Sequence, residues 1–273
     1  MMYSPKKMNE ELKNNNFSFK KKFGQNFIVD ENIVDNIVKK ANLDNDSLVI
    51  EIGPGSGSLT QKLSQSVKNV LCYEIDVTLK PFLNKMSDNV EIIYEDFLKR
   101  NVKKDLENYN YDKLYVVANL PYYITTPIIM KIIEDNLDVD KIVVMVQKEV
   151  GNRFKAKPNS KDYGSLSVFL NYYFDIIKLM DVSRNVFLPK PNVDSIVIEL
   201  TKKEKIQVNN EELFFAIVRD SFKQKRKNLR NNLKNYDLEK IEKILREDNL
   251  DLTVRAEALT FEQFIKIANN YNK

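Results

Sequence analysis

"VIEIGPGSGSLT" (residues 49–60) decides the fold. Gly53, Gly55 and Gly57 are three of the chain's six glycines, and they stand within five residues, directly behind the apolar run "SLVIEI" (47–52). A chain that is sparing with glycine and concentrates it here needs positive φ or a close approach of backbone to a ligand. The run ahead of the loop reads as a buried strand, and "SLTQKLSQSV" behind it reads as a helix. Strand, glycine turn and helix in that order form the nucleotide-binding geometry of doubly wound folds. A dinucleotide fingerprint requires another glycine at position 58, which is Ser58, and no Gly-Lys-Ser/Thr follows to make a phosphate loop.

Outward from the loop, "NVLCYEI" (69–75), "VEIIY" (90–94), "KLYVVA" (113–118) and "KIVVMVQ" (141–147) are near-continuous apolar runs. Helical patterns separate them: "DENIVDNIVKKANL" (30–43) with Asp30 as its cap, a stretch from 77 to about 86, and "TTPIIMKIIED". Such alternation predicts a parallel sheet covered on both faces. Strand character returns in "NYYFDIIKLM" (171–180) and "DSIVIELT" (194–201). From about 205 only helical periods follow, "QKRKNLRNNLKNY" among them. The expected class is α/β, a doubly wound, mostly parallel Rossmann-like sheet over 1–204 with a small all-helical domain over 205–273.

With 273 residues, 43% apolar and 30% charged, the chain can bury a real core. No run of about 18 apolar residues predicts a membrane span, and "MMYSPKKMNEELKNNN" has no apolar signal core. Cys72 is the single cysteine and suits a reducing cytoplasm, the expected location. Histidine is absent. No imidazole can serve as a base, and neither a zinc site nor a Cys/His nucleophile is expected, so no metal is assigned. The net charge of +4 is mild, but lysine and arginine cluster at 6–13, 19–24, 99–104 and above all in "FKQKRKNLRNNLK" (222–234). Lys223, Lys225, Arg226 and Arg230 of that last cluster are candidate phosphate contacts, which the resemblance described below would turn toward RNA; a solvated helix face is the alternative.

The spacing Glu-x-Gly-x-Gly-x-Gly (51–57) resembles the first motif of S-adenosylmethionine-dependent methyltransferases. Glu74 ends the second strand in "CYEID", where a carboxylate can accept both ribose hydroxyls of an adenosine-bearing ligand. Asp96 in "YEDFLK" ends the third, near the adenine by that resemblance; Asp76 and Glu95 are second choices. "ANLPYYITTP" (118–127) then closes the next strand with Asn119, Leu120, Pro121 and Tyr122. Asn119 falls at the carboxyl edge beside the glycine loop. An exocyclic adenine amine is a poor nucleophile because its lone pair is delocalised into the ring. The Asn119 carboxamide oxygen and the Leu120 carbonyl, as two acceptors, would localise that pair. Pro121 fixes the carbonyl and removes a competing N–H, while Tyr122 offers a flat face to an unstacked base.

Together "KKKFGQNFIVD", "EIGPGSGSLT", "YEID", "EDFLK", "ANLPYYITTP", "MVQKEVGNRF", "YGSLSV" and "FLPKPNVDSIVI" resemble the ribosomal RNA adenine N6,N6-dimethyltransferase family over nearly the whole chain, its small-subunit (16S) branch most closely. The resemblance implies S-adenosyl-L-methionine as cofactor. It implies cofactor contacts from Asn26, Ile28, Gly53, Gly55, Glu74, Asp96 and Asn119, with Gln25 and Phe27 behind them. It also implies that Phe187 sandwiches the target adenine opposite Tyr122. The expected substrate is two adjacent adenosines near the 3′ end of small-subunit rRNA, in the 30S subunit or its precursor, and the expected state is a monomer. The alternatives are a large-subunit enzyme of the macrolide-resistance type and a mainly non-catalytic ribosome-assembly factor. "GPGSG", "NLPYY" and "VDS" favour the small-subunit branch. An oxidoreductase is disfavoured by Ser58 and by the lack of a histidine acid/base.

Overall fold

A computed structural model describes residues 10, 12, 14, 17–20, 23–204 and 206–271. Its main sheet comprises β2 (Leu48–Ile52), β3 (Asn69–Tyr73), β4 (Val90–Ile93), β5 (Leu114–Asn119), β6 (Lys141–Gln147), β7 (Phe174–Val182) and β9 (Ser195–Lys202). Their order is β4-β3-β2-β5-β6-β9-β7. β2 pairs in parallel with both β3 and β5, β5 in parallel with β6, and β9 runs antiparallel to β6. The chain steps outward from β2 through β3 and β4, then crosses back to continue through β5. That reversal opens a crevice at the carboxyl ends of β2 and β5, where ligands of doubly wound sheets bind.

Every residue of β2 is buried, as is β5 up to Asn119. This two-sided burial explains why the sequence runs apolar without alternation. The covering helix Glu31–Ala41 buries Val34, Ile37 and Ala41 on one stripe. Asp30 caps it by accepting from the Asn32 N–H at 3.0 Å, as its position predicts. Cys72 is fully buried, a small core residue of β3. Apart from this sheet, β1 (Phe27–Ile28) pairs antiparallel with β8 (Phe187–Leu188), with Phe27 opposite Leu188 and Ile28 opposite Phe187.

The described residues fall in two compact units, one of those up to 151 with Ile177–Thr201, and one of Asn152–Ile176 with those from 202 onward. The second therefore differs from a single cut at 204. Its core joins Tyr163, Val168 and Tyr172 to Phe214, Ile217, Ile241 and Phe264. Residues 165–173 form a helix, and the strand expected from 171 begins at Phe174. Val168 and Tyr172 lie four apart on one helical face of that core, and this packing overrides the β propensity of two tyrosines. The helix Glu211–Ser221 is capped by Asn210, Leu238–Arg246 by Asp237, and Phe261–Asn270 by a Thr260/Gln263 capping box.

The basic stretch 222–234 is also not the continuous helix expected. It turns through 223–228 and forms one helical turn, Leu229–Asn232. Its asparagines divert the backbone: Asn228 Oδ1 accepts from the Asn231 N–H at 3.1 Å, and Asn232 Nδ2 donates to the Ser221 carbonyl at 2.7 Å. Among the described residues no helix is long and apolar enough to cross a membrane.

Candidate active site

The glycine loop leaves β2 with Gly53, Gly55 and Gly57 at φ of +70°, +60° and +81°. Gly53 N–H donates to the Tyr73 carbonyl at 2.9 Å, binding the loop to the end of β3. A Cβ on Gly55 would lie 2.9 Å from the Phe27 ring, so any larger residue there collides as well as being strained. A Cβ on Gly53 would lie 4.0 Å from Pro121 Cδ, so the loop faces the Asn-Leu-Pro-Tyr turn directly.

Glu74 follows β3 and is only 4% exposed. Its Oε2 accepts from the Gly55 N–H at 3.2 Å and its Oε1 from the Asp76 N–H at 2.7 Å. Burial raises its pKa, and these two amides oppose the rise. A carboxylate offers roughly four acceptor positions. The backbone amides leave part of that capacity open, which suits a diol such as a ribose edge. Asp96 holds its own turn, with Oδ1 accepting from the Leu98 N–H at 3.0 Å. Asn26, Gly53, Glu74, Asp96, Asn119 and Tyr122 all line one crevice, with Ile28 and Gly55 in its wall. The donor set fits an adenosine-bearing cofactor.

Asn119 Nδ2 donates to the Asn26 backbone carbonyl at 3.0 Å. That bond fixes the carboxamide and leaves Oδ1 as its other polar atom. Leu120 N–H continues the sheet bonding to the Met145 carbonyl at 3.2 Å. The Pro121 carbonyl accepts from the Ile124 N–H at 3.2 Å and Thr125 Oγ1 at 3.3 Å. The Leu120 carbonyl takes part in none of these bonds. Tyr122 is half-buried, and its hydroxyl meets Ser195 Oγ at 2.8 Å.

Phe187 is placed differently from its expected role. It is 4% exposed, packed in the core with Ile28, Val182 and Val197, and it does not line the crevice. Its pairing with Ile28 turns the ring inward, so Tyr122 has no aromatic partner there from β8. Of the second choices, Glu95 pairs with Arg100 at 3.0 Å, while Asp76 is buried.

Sequence reasoning passed over Ser195, which looked like one small residue at a strand start. It also passed over the acid of the glycine motif itself. Glu51 is 1% exposed in mid-strand, and Cys72 Sγ contacts its Oε2 at 3.8 Å. The signal was present: a carboxyl within an otherwise apolar buried strand requires a reason. Burial pushes its pKa from 4.5 up to about 8. The folded state thus holds this proton more tightly than the unfolded chain. The stability that the neutral acid confers is complete below about 4.5 and is lost as pH rises toward 8. The melting temperature should fall between pH 5 and 8.5, each pH unit costing up to about 1.4 kcal/mol. Glu51→Gln should flatten that profile, with a residual slope from Glu74; an unchanged profile would show that Glu51 ionises freely.

The four candidate RNA contacts lie in the second unit, all exposed. Lys225 Nζ donates to the Lys161 carbonyl, and Arg230 pairs with Glu242 at 3.0 Å. The basic cluster at 6–13 lies largely outside the described residues, as do Lys21 and Lys22 of 19–24.

A doubly wound sheet with a glycine loop, a strand-end carboxylate and an Asn-Leu-Pro-Tyr turn around one switch-point crevice is the architecture of the Rossmann-like methyltransferases. The chain belongs to the ribosomal RNA adenine dimethylase family, whose model matches residues 16–273. It is similar to the ribosomal RNA small subunit methyltransferase A of Bacillus pumilus, at 46% identity over 99% of this chain and 97% of that one. The protein of the same name from Oceanobacillus iheyensis is 43% identical over 98% of this chain and 95% of that one. A crystal structure of a dimethyladenosine transferase from Plasmodium falciparum superposes with a TM-score of 0.77 at 25% identity, covering 90% of this chain and 97% of that one. The 23S rRNA methyltransferase ErmE shares the fold, with a TM-score of 0.69 at 24% identity over 90% of this chain and 100% of that one.

Proposed function

We propose that the chain transfers methyl groups from S-adenosylmethionine to N6 of two adjacent adenosines near the 3′ end of small-subunit (16S) rRNA, and so takes part in small-subunit biogenesis. The observation that carries this reading is the bond from Asn119 Nδ2 to the Asn26 carbonyl. It commits the donor end of the carboxamide to the protein and leaves the acceptor end for the hydrogens of an adenine amine. The cofactor supplies an electrophilic methyl group on a sulfonium. Glu74 would hold its ribose, Asp96 its adenine end, and Asn26, Ile28 and the glycine loop its remaining length. Asn119 Oδ1 and the Leu120 carbonyl would accept hydrogen bonds from the amine, two N–H groups at the first transfer and one at the second, and turn the lone pair out of the ring. Each transfer would leave the cofactor as a thioether and send one N–H proton to water. Tyr122, held by Ser195, gives the unstacked base one face to lie on. Positioning and electrostatics then suffice without a histidine base, and without a metal.

The small-subunit assignment rests on the relatives at 43–46% identity, both carrying small-subunit names. The acceptor is the rRNA of the 30S subunit or its precursor, met in the cytoplasm by a monomer. The test is methyl transfer from labelled S-adenosylmethionine to small and large subunits lacking their adenine dimethylations, with the labelled nucleoside identified. Dimethyladenosine in small-subunit rRNA is expected. Label in the large subunit would move the chain to the resistance-type branch, and tight subunit binding without label would make it an assembly factor.

The exposed basic turn of the second unit would meet RNA phosphate. Neutralising Lys223, Lys225, Arg226 and Arg230 should weaken RNA binding and reduce the slope of log K against log salt by up to about 3. Because Glu242 already occupies Arg230, Lys223 and Arg226 should carry the larger share. An unchanged slope would return the turn to a solvated face.

A further inference from the structure

Asp76 follows Glu74 by two residues and is 1% exposed, although no substrate-directed role falls to it. Its carboxylate is fully engaged, in part by the chain's amino-terminal side. Lys20 Nζ donates to Oδ1 at 2.6 Å and Gln25 Nε2 to Oδ2 at 2.7 Å. Thr78 adds its N–H at 3.1 Å and its hydroxyl at 2.6 Å, both to Oδ1. Lys20 also closes the arrangement on itself. Its backbone N–H donates to Gln25 Oε1 at 2.8 Å, and its Nζ reaches Thr78 Oγ1 at 3.0 Å. Lys20, Gln25 and Asp76 thus form a closed ring of hydrogen bonds.

Both exits of that ring lead into the cofactor crevice. On one side the Asp76 N–H donates to Glu74 Oε1. On the other, Gln25 is followed by Asn26, whose carbonyl orients Asn119 and whose Nδ2 donates to the Gly24 carbonyl at 3.0 Å. Gly24 in turn has Tyr123 and Pro121 packed against it, with a Cβ there 3.2 Å from the Tyr123 ring. A buried carboxylate with four donors is far more than a surface loop needs to keep its shape. Its cost is repaid only if the two segments must be held together.

We infer that Lys20 and Gln25, acting through Asp76, are positioning residues that latch the segment ahead of Asn26 onto the loop bearing Glu74, and so set the affinity for the cofactor. The inference rests on the proposed reading of the crevice as a S-adenosylmethionine site. With the latch intact, Glu74 and Asn26 are presented together. With it broken, the cofactor must order both segments itself, and that ordering lowers affinity. The acceptor side, Leu120 to Tyr122, has its own supports on β6, through the Leu120 N–H to the Met145 carbonyl, and on β9, through Ser195, and meets this segment where Pro121 packs on Gly24.

The test uses the full chain and compares Lys20→Met, Gln25→Leu, the double variant and Lys20→Arg. S-adenosylmethionine Kd is measured by calorimetry, with kcat, RNA KM and melting temperature alongside. Lys20 is partly exposed, so Lys20→Met should fold. It should raise Kd about tenfold, the effect of one charge-assisted hydrogen bond, while kcat at saturating cofactor and RNA KM stay within twofold. Lys20→Arg should restore most of the affinity. The double variant should lose less than the product of the single losses, since both act on one carboxylate. An unchanged Kd in Lys20→Met and Gln25→Leu, with the unaltered chain binding, overturns the latch alone. A fall in kcat matching the rise in Kd also overturns it, because the ring would then support the whole site. No binding by the unaltered chain would overturn the reading of the crevice, and the latch's role with it.

Discussion

Asn119→Ala is expected to lower the rate of methyl transfer by about 10²–10³-fold, the range seen when one preorganised hydrogen-bonding group is removed from a reacting centre. The side chain has two tasks that separate by atom. In the proposed reading its oxygen serves the acceptor amine, while its nitrogen is committed to the Asn26 carbonyl at 3.0 Å. Alanine removes both, so cofactor affinity should also fall, but only severalfold. Asn119→Asp keeps an acceptor and places a carboxylate against that carbonyl oxygen, which should loosen Asn26 and cost affinity more than alanine does. Single-turnover transfer and equilibrium cofactor binding, measured on the same preparations, distinguish the two tasks. Equal losses in rate and affinity for Asn119→Ala would defeat the acceptor role.

Glu74→Ala is expected to raise the S-adenosylmethionine Kd at least about 100-fold. Two hydrogen bonds to a charged acceptor are lost, each contributing about 1.5–3 kcal/mol. The Gly55 and Asp76 N–H groups, now paired at 3.2 and 2.7 Å, also lose their acceptor. Glu74→Gln keeps one oxygen and should fall between the two. Calorimetric titration checks both, and an affinity within threefold of the unaltered chain would place the ribose elsewhere.

Much of this architecture was legible in the sequence because burial on both faces leaves a strong trace. Strands β2, β3, β5 and β6 are nearly uninterrupted apolar runs, and three glycines cannot crowd together by accident in a chain so poor in them. Asn119 and Glu74 could be placed because strand ends are fixed by where such runs stop. Tertiary pairing decided the rest. Phe187 looks like a free loop aromatic in "FLPKPNVDS", and only its antiparallel partner Ile28 turns the ring into the core. Tyr172 reads as β-forming until Phe214 and Val168 claim it for a helical core. The run 222–234 has helical charge spacing, yet asparagine side chains take the backbone bonds that a helix would need. Ser195 was invisible, and Asp76 stood only as a second choice, for a related reason. Their importance lies in partners more than fifty residues away, Lys20 and Tyr122, and no local pattern encodes a hydrogen bond across that distance.

The pairing of β1 with β8 also has a consequence for how the protein is made. Phe27 and Ile28 leave the ribosome early, but their strand partners Leu188 and Phe187 follow only after β2 to β7. Ser195, which anchors Tyr122, emerges later still. Contacts of such long sequence separation close late, because the loop entropy must be met before they contribute. A partly synthesised chain can therefore hold the glycine loop and Glu74 in place while the wall beside Asn26 and the seat of Tyr122 are still open. Competence to grip a target base arrives with the last strands of the sheet, so a chain cut short before residue 195 would leave the synthesis machinery with a crevice and no working surface.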